Sequence, residues 1–397
     1  MWLPPEIWIH IFLLATSTAY TPQLYEIDYI PFHNPPQEQE RAMLSLADQT
    51  MLALSLVSRE WHLWTVQFLF QTVRLSWYGS RRLHKGLQQS ASGVRCGQWT
   101  KRLELSVIEH EDPSYLVKPA DIFLSCPNIE ILVKYEDDLL PHSAEGVDLA
   151  RLRRFEWYYA RYRDGDHQFA TEDDDPSRGQ DFLREVVRNA PNLRYLSLVK
   201  RFRGNPRLGP PPSSLLLPAL VTLHVQSISG DVWTEIETWS FPRLKVLRVD
   251  AAFIGFTRLS GRMWPTVEVV ELLQDQGSIP SPSEIPFILA ICPNAIELNY
   301  YIEYVQPPPV DAFVSASVQV VRLHFATNHD LRSPTEDPEE DELWNHFSAH
   351  FDMLAGPMFP ALKRVVLCGP WSFVAENERF ELFKQTLVGR SCKLDSE

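Results

Sequence analysis

Apolar positions along the chain follow one period near the start and another over the rest. Ile7, Ile11 and Leu14 recur at helical spacing with Trp8 and Phe12 beside them, and predict a helix opening at Pro4-Pro5-Glu6. Proline costs little in a first turn, because its missing N–H would have no partner there, and Glu6 suits the positive end of the helix dipole. Residues 20–39, with Pro22, Pro31, Pro35 and Pro36 among scattered polar and aromatic positions, read as an inserted loop. Helical spacing resumes from Ala42 to Val57 through Met43, Leu46, Met51, Leu54 and Leu56. Ser58 is placed to cap a third helix carrying Trp61, Trp64, Phe68 and Leu69. Three such helices make a bundle too small to be very stable alone.

From about residue 98 a different pattern recurs: an apolar residue, Pro, any residue, then Leu-x-x-Leu-x-Leu. It runs Ala190-Pro191-Asn192-Leu193-Arg194-Tyr195-Leu196-Ser197-Leu198, again from Leu217-Pro218 to Val225, and again from Phe241-Pro242 to Val249. Cys126-Pro127, Trp264-Pro265, Cys292-Pro293 and Phe359-Pro360 open four more copies, and weaker ones without Pro sit at Leu103–Val107, Leu152–Trp157 and Val318–Leu323. From Pro191 the prolines step by 27, 24, 23 and 28 residues to Pro218, Pro242, Pro265 and Pro293. A 20–29-residue period with this motif resembles leucine-rich repeats, although the Asn or Cys that ends their motif is missing and Gln226 and Asp250 stand near that place. Each Leu-x-Leu predicts a short strand. Phe182, Leu183, Val186 and Val187 predict a helix before Pro191, and Ile285, Phe287, Ile288 and Ile291 one before Pro293. Asp337-Pro338 is placed to cap a longer helix through Leu343, Phe347, Phe351 and Leu354 that ends at Gly356-Pro357. The expected fold class is α/β: a small N-terminal helical bundle followed by a curved leucine-rich-repeat solenoid.

Composition narrows the function. The chain has 397 residues, 45% of them hydrophobic and 22% charged, which is ordinary for a core-forming protein. Its net charge of −14 argues against a general nucleic-acid binder, which needs a cationic footprint. No uncharged apolar stretch is long enough to predict a membrane span. The run Ile7–Ala15 looks like a signal peptide from a distance, but no Lys or Arg precedes it. The five cysteines are odd in number, with no C-x-x-C pair, and suggest a reduced compartment, cytoplasmic or nuclear.

Leu3-Pro4-Pro5-Glu6-Ile7 with Ile11-Phe12, followed by Leu56-Val57-Ser58-Arg59-Glu60-Trp61, resembles an F-box, whose pattern is L-P-x-E-I-x-x-x-I-F and then V-[CS]-[RK]-x-W. The likeness covers roughly residues 2–75, under a fifth of the chain, and departs from the pattern by about thirty inserted residues between the halves. It is similar to the F-box proteins of mushroom-forming fungi, in which an F-box precedes degenerate leucine-rich repeats. The resemblance implies a domain 1–75 with a Pro-rich insertion near 16–41, a connecting helical segment 76–97 and a repeat domain 98–397. It also implies docking to the adaptor of SCF-type ubiquitin ligases, and through it to the cullin, by Leu3, Pro4, Pro5, Ile7, Ile11, Phe12, Leu56, Val57, Ser58 and Trp61.

In a solenoid the strand positions between the inward leucines face the concave surface. Here they include Arg154, Glu156, Tyr195, His224, Arg248, Asp250, Glu271, Asn299, Tyr301, Arg322 and His324, a polar stripe with aromatics that suits a protein substrate. Lys200, Arg201, Arg203 and Arg207 form a basic cluster that could read a phosphorylated segment or lie on a solvated loop, and Glu172–Asp175 an acidic run without calcium-loop spacing. No nucleophile elbow, zinc-protease motif, phosphate loop or dinucleotide glycine pattern occurs, so neither a metal, a cofactor nor a catalytic set is expected. The expected function is a non-catalytic substrate receptor of a ubiquitin ligase, without nucleic acid or membrane. A repeat scaffold acting outside ubiquitin transfer remains the alternative, with an enzyme of scattered residues third.

Overall fold

The structure is a computed structural model that describes residues 3–17, 24–33, 38–75, 80–91, 93–106, 119–136, 146–159, 177–199, 214–226, 233, 236–250, 262–273, 284–309, 313–325, 339–375 and 378–396. The chain is mixed α/β and forms two compact units. One comprises Met1–Tyr29, His33–Leu220 and Thr238–Phe241; the other comprises Ile30–Phe32, Val221–Glu237 and Pro242–Glu397.

The first unit begins with helices Pro5–Thr16, Glu38–Ser55 and Arg59–Leu69, which pack together. Pro4 is the N-cap of the first and Pro5 lies in its first turn, where a missing N–H costs nothing. Ser58 caps the third, its hydroxyl accepting the Trp61 amide at 3.1 Å. Phe12 is 1% exposed and sits between aromatic neighbours, with ring centroids 4.8 Å from Trp61 and 5.9 Å from Trp8. Met51 and Val66 are buried in the same bundle.

Strand β1 (Thr72–Leu75) follows, then helix Ser80–Gln88 and an antiparallel pair β2 (Ser90–Ala91) and β3 (Val94–Arg95). After them come β4 (Arg102–Ser106), β5 (Ile131–Glu136), β6 (Arg154–Tyr159) and β7 (Tyr195–Val199). Strands β1, β4, β5, β6 and β7 pair in that order, all parallel. The second unit holds β8 (Thr222–Gln226), β9 (Val246–Val249), β10 (Val269–Leu272), β11 (Glu297–Tyr301), β12 (Val320–His324), β13 (Arg364–Cys368) and β14 (Lys393–Ser396). These also pair parallel in chain order. Parallel neighbours need a crossover. Helices Pro119–Ser125, Ser177–Asn189, Glu284–Ile291 and Glu339–Ala355 lie in such connections. Asp337 and Pro338, expected to cap the last, lie outside the described residues.

All seven proline-initiated motifs open a strand, and the three weaker copies correspond to β4, β6 and β12. The proline that opens them sits in a defined turn. In five copies the residue before Pro accepts the amide three residues on: Ala190 from Leu193, Leu217 from Leu220, Trp264 from Val267, Cys292 from Ala295 and Phe359 from Leu362. Proline is thus the second residue of a β-turn, whose φ it presets.

Asparagine links successive turns. Asn128 donates its side-chain amide to the Gln98 carbonyl at 2.6 Å, Asn192 to Ala150 at 2.8 Å and Asn294 to Pro265 at 2.8 Å. By strand register, each acceptor stands one turn back from the proline that precedes the donor.

Candidate functional site

Strand side chains alternate between two faces. One faces the helices. Phe155 and Trp157 of β6 each meet the Phe182 ring at 6.3 Å, and the Tyr300 hydroxyl bonds His350 Nδ1 at 3.1 Å. The other face carries the candidate substrate stripe.

In the first unit, register places Arg102, Ile131, Arg154 and Tyr195 in one row and Glu104, Val133, Glu156 and Ser197 in the next. Arg102 pairs with Glu104 at 2.7 Å, and Arg74, itself 3.2 Å from Asp48 of helix Glu38–Ser55, reaches the other Glu104 oxygen at 2.9 Å. Arg154 pairs with Glu156 and lies over the Tyr195 ring at 4.6 Å; Tyr158 donates its hydroxyl to Glu156 at 2.7 Å. Burial pushes both carboxyls up, but the neighbouring guanidiniums outweigh it and hold Glu104 and Glu156 below the usual carboxylate range.

In the second unit, His224, Arg248, Glu271, Asn299 and Arg322 form one row, and Tyr301 stands beside His324 in the next. Arg248 and Glu271 form an ion pair at 2.6 Å. Arg322 pairs with Glu297 at 3.0 Å, and Asn299 donates to the same oxygen at 2.9 Å. Of the eleven candidate residues, Arg154, Glu156, Tyr195, His224, Arg248, Asp250, Glu271, Asn299 and Tyr301 are buried, while Arg322 and His324 are half-buried.

A segment read in the sequence only as a loop lies against part of this face. Within the first unit, Tyr25 packs on Ile131, Val133 and Tyr158 and bonds the Thr72 hydroxyl at 2.5 Å; burial pushes its own hydroxyl up. The Leu24 carbonyl accepts from Arg102 at 2.9 Å, the Glu26 carbonyl accepts from Arg154, and Asp28 pairs with Arg194 at 2.6 Å. Within the second unit, the Phe32 amide donates to Glu271 Oε2 at 2.9 Å. The Phe32 ring lies 5.2 Å from Tyr301 and 4.8 Å from His324. Only the density of aromatics in the insertion (Tyr25, Tyr29 and Phe32) hinted at this in the sequence.

The expected adaptor residues divide by exposure. Phe12 belongs to the bundle core and Trp61 is half-buried against it. Leu3, Pro4, Pro5, Ile7, Ile11, Leu56, Val57 and Ser58 are exposed, with Ile7 at 47%, Leu56 at 77% and Val57 at 61%. Among the described residues, 11 of the 18 exposed large apolar side chains fall between Leu3 and Leu63, so the apolar surface is concentrated on the bundle.

Comparison with protein-family models finds no match, and comparison with curated proteins finds none. No helix among the described residues is long and apolar enough to cross a membrane. Among the same residues no group of His, Cys, Asp and Glu could hold a metal ion. The Lys200–Arg207 cluster and the Glu172–Asp175 run lie outside the described residues.

Proposed function

We propose that this chain is a substrate-receptor subunit of an SCF-type ubiquitin ligase, with an F-box-like bundle that docks the adaptor and a leucine-rich-repeat-like region that holds a protein substrate. The observation that carries the reading is the apolar surface of the bundle. Ile7, Ile11 and Leu14 recur at helical spacing on an exposed stripe of helix Pro5–Thr16, and Leu56 and Val57 stand exposed just before the Ser58 cap. Burying large apolar side chains is favourable, and soluble proteins rarely leave many of them together in water without a partner. The paired sequence motifs select the adaptor as that partner. The parallel strands, met in chain order and spaced by proline turns, support the repeat reading. The chain's contribution to ubiquitin transfer would be proximity, which raises the effective concentration of the acceptor lysine.

The test is capture of a purified SCF adaptor–cullin complex by the full chain, beside an Ile7→Ser, Leu56→Ser, Val57→Ser variant. These three side chains are exposed, so the variant keeps its melting temperature to within a few degrees. Capture by wild type and its loss in the folded variant is the expected result. No capture by wild type overturns the receptor reading and leaves a repeat scaffold.

A further inference from the structure

The segment at residues 24–33 is held in an unusual way. From Glu26 to His33 it has no helix or strand, and the sheet holds the segment both by its backbone groups at Leu24, Glu26 and Phe32 and by the side chains of Tyr25, Asp28 and Phe32. Phe32 differs from the rest. It follows Pro31, and its backbone has φ +56°, a left-handed conformation that an aromatic L-residue rarely adopts. Its side chain remains half-buried, while Glu271 and Tyr301 beneath it are buried. His324 Nδ1, under the same ring, is shielded from solvent and has no hydrogen-bond partner among the described residues. A strained residue over an unsatisfied polar atom marks a place that the fold alone has not optimised.

We propose that Glu271, Tyr301 and His324 form a peptide-recognition socket, filled in this chain by its own Phe32. The ligand it takes in exchange is a segment of another protein that presents an aromatic side chain on a tight turn. The turn's free amide meets the Glu271 carboxylate, its ring enters between Tyr301 and His324, and an acceptor beside the ring can satisfy His324 Nδ1. This rests on the receptor reading for its biological sense, since the displacing segment would belong to the substrate. The tether keeps Phe32 at a high local concentration, so a free competitor is excluded until it offers more contacts than Phe32 does.

The experiment uses the full chain and a fluorescein-labelled peptide of residues 24–33, LYEIDYIPFH, followed by fluorescence anisotropy. Wild type, its socket filled, binds the probe weakly. The Phe32→Ala chain binds it at least tenfold more tightly, and the same peptide with alanine in place of its phenylalanine does not bind. Adding His324→Ala to the Phe32→Ala chain weakens binding at least fivefold. Equal binding by wild type and Phe32→Ala, or none by a Phe32→Ala chain that melts cooperatively, overturns the proposal. If Phe32→Ala does not fold, Phe32→Leu, which keeps an apolar side chain but removes the ring, takes its place with the same outcomes. Adaptor capture is measured on the same proteins. Capture without peptide binding overturns the socket alone, and peptide binding without capture overturns the receptor reading alone.

Discussion

Phe12 and Trp61 stand with ring centroids 4.8 Å apart, and this contact joins helix Pro5–Thr16 to helix Arg59–Leu69 across the residues between them. It also separates the residues that make the bundle from those on its surface. Phe12→Ala removes a fully buried ring and is expected to cost about 3–5 kcal/mol. Ile7→Ser, at an exposed position, is expected to change stability by no more than about 0.5 kcal/mol. Urea denaturation of the two variants checks the contrast; equal losses would mean that Ile7 is held in the core.

The Arg248–Glu271 pair is almost wholly shut off from water, and Glu271 also accepts the Phe32 amide. Removing one charge leaves the other buried without its partner. Arg248→Met is therefore expected to cost about 3–5 kcal/mol, and Arg248→Met with Glu271→Leu distinctly less than the two single losses summed. A double-mutant cycle of denaturation free energies measures the coupling, and strict additivity would show that the two side chains do not act as a pair.

Acid should weaken the fold in two stages. Burial, with His346 alongside, pushes His350 down to about 3 from its ordinary 6.5, and burial lowers His324 as well. A depressed histidine takes up its proton in the unfolded chain first. Its contribution is whole above pH 6.5 and declines as pH falls toward the folded value, by at most about 1.4 kcal/mol per pH unit for one group. Glu104 and Glu156 have the opposite charge type. Held below the usual carboxylate range, they contribute in full above that range and lose the contribution progressively as pH falls from it through their lower folded values. Denaturation midpoints should thus fall between pH 6.5 and 5, where the unfolded chain protonates His350 and His324 before the folded one does, and His350→Gln should flatten that limb. A midpoint constant over that range would contradict the assignment.

Gly97 has no room for a side chain. A Cβ there would meet the carbonyl oxygen of Ser125, at the end of helix Pro119–Ser125, in backbone that cannot swing aside. Gly97→Ala is expected to cost about 1–3 kcal/mol, read as a lowered melting temperature. Gly389, with open space around its Cβ position, is the control that should tolerate alanine.

What could be seen in the sequence follows from how each feature is encoded. The strands after Pro191, Pro218 and Pro242 announce themselves because turn and alternation coincide in one motif. Strands β1 and β14, four residues each and without that motif, offer too few positions for a period to emerge. Helix Pro5–Thr16 is apolar on nearly every side from Ile7 to Leu14, so spacing shows that it is a helix but not that Phe12 points inward and Ile11 outward. Within each unit the polar strand positions were legible as a face, but what covers them was not. Residues 24–28 are held by the backbone carbonyls of Leu24 and Glu26, which any residue would supply, and by Tyr25 and Asp28, whose partners lie far along the chain.

The side-chain bonds of Asn128, Asn192 and Asn294 each reach one turn back and no further. A protein fastened in this way resembles a zip more than a knot. Pulled from strand β14, the second unit should part tooth by tooth, with force spent on one neighbour at a time, and a stretching experiment should record a run of small ruptures where a single-cored domain gives one large one.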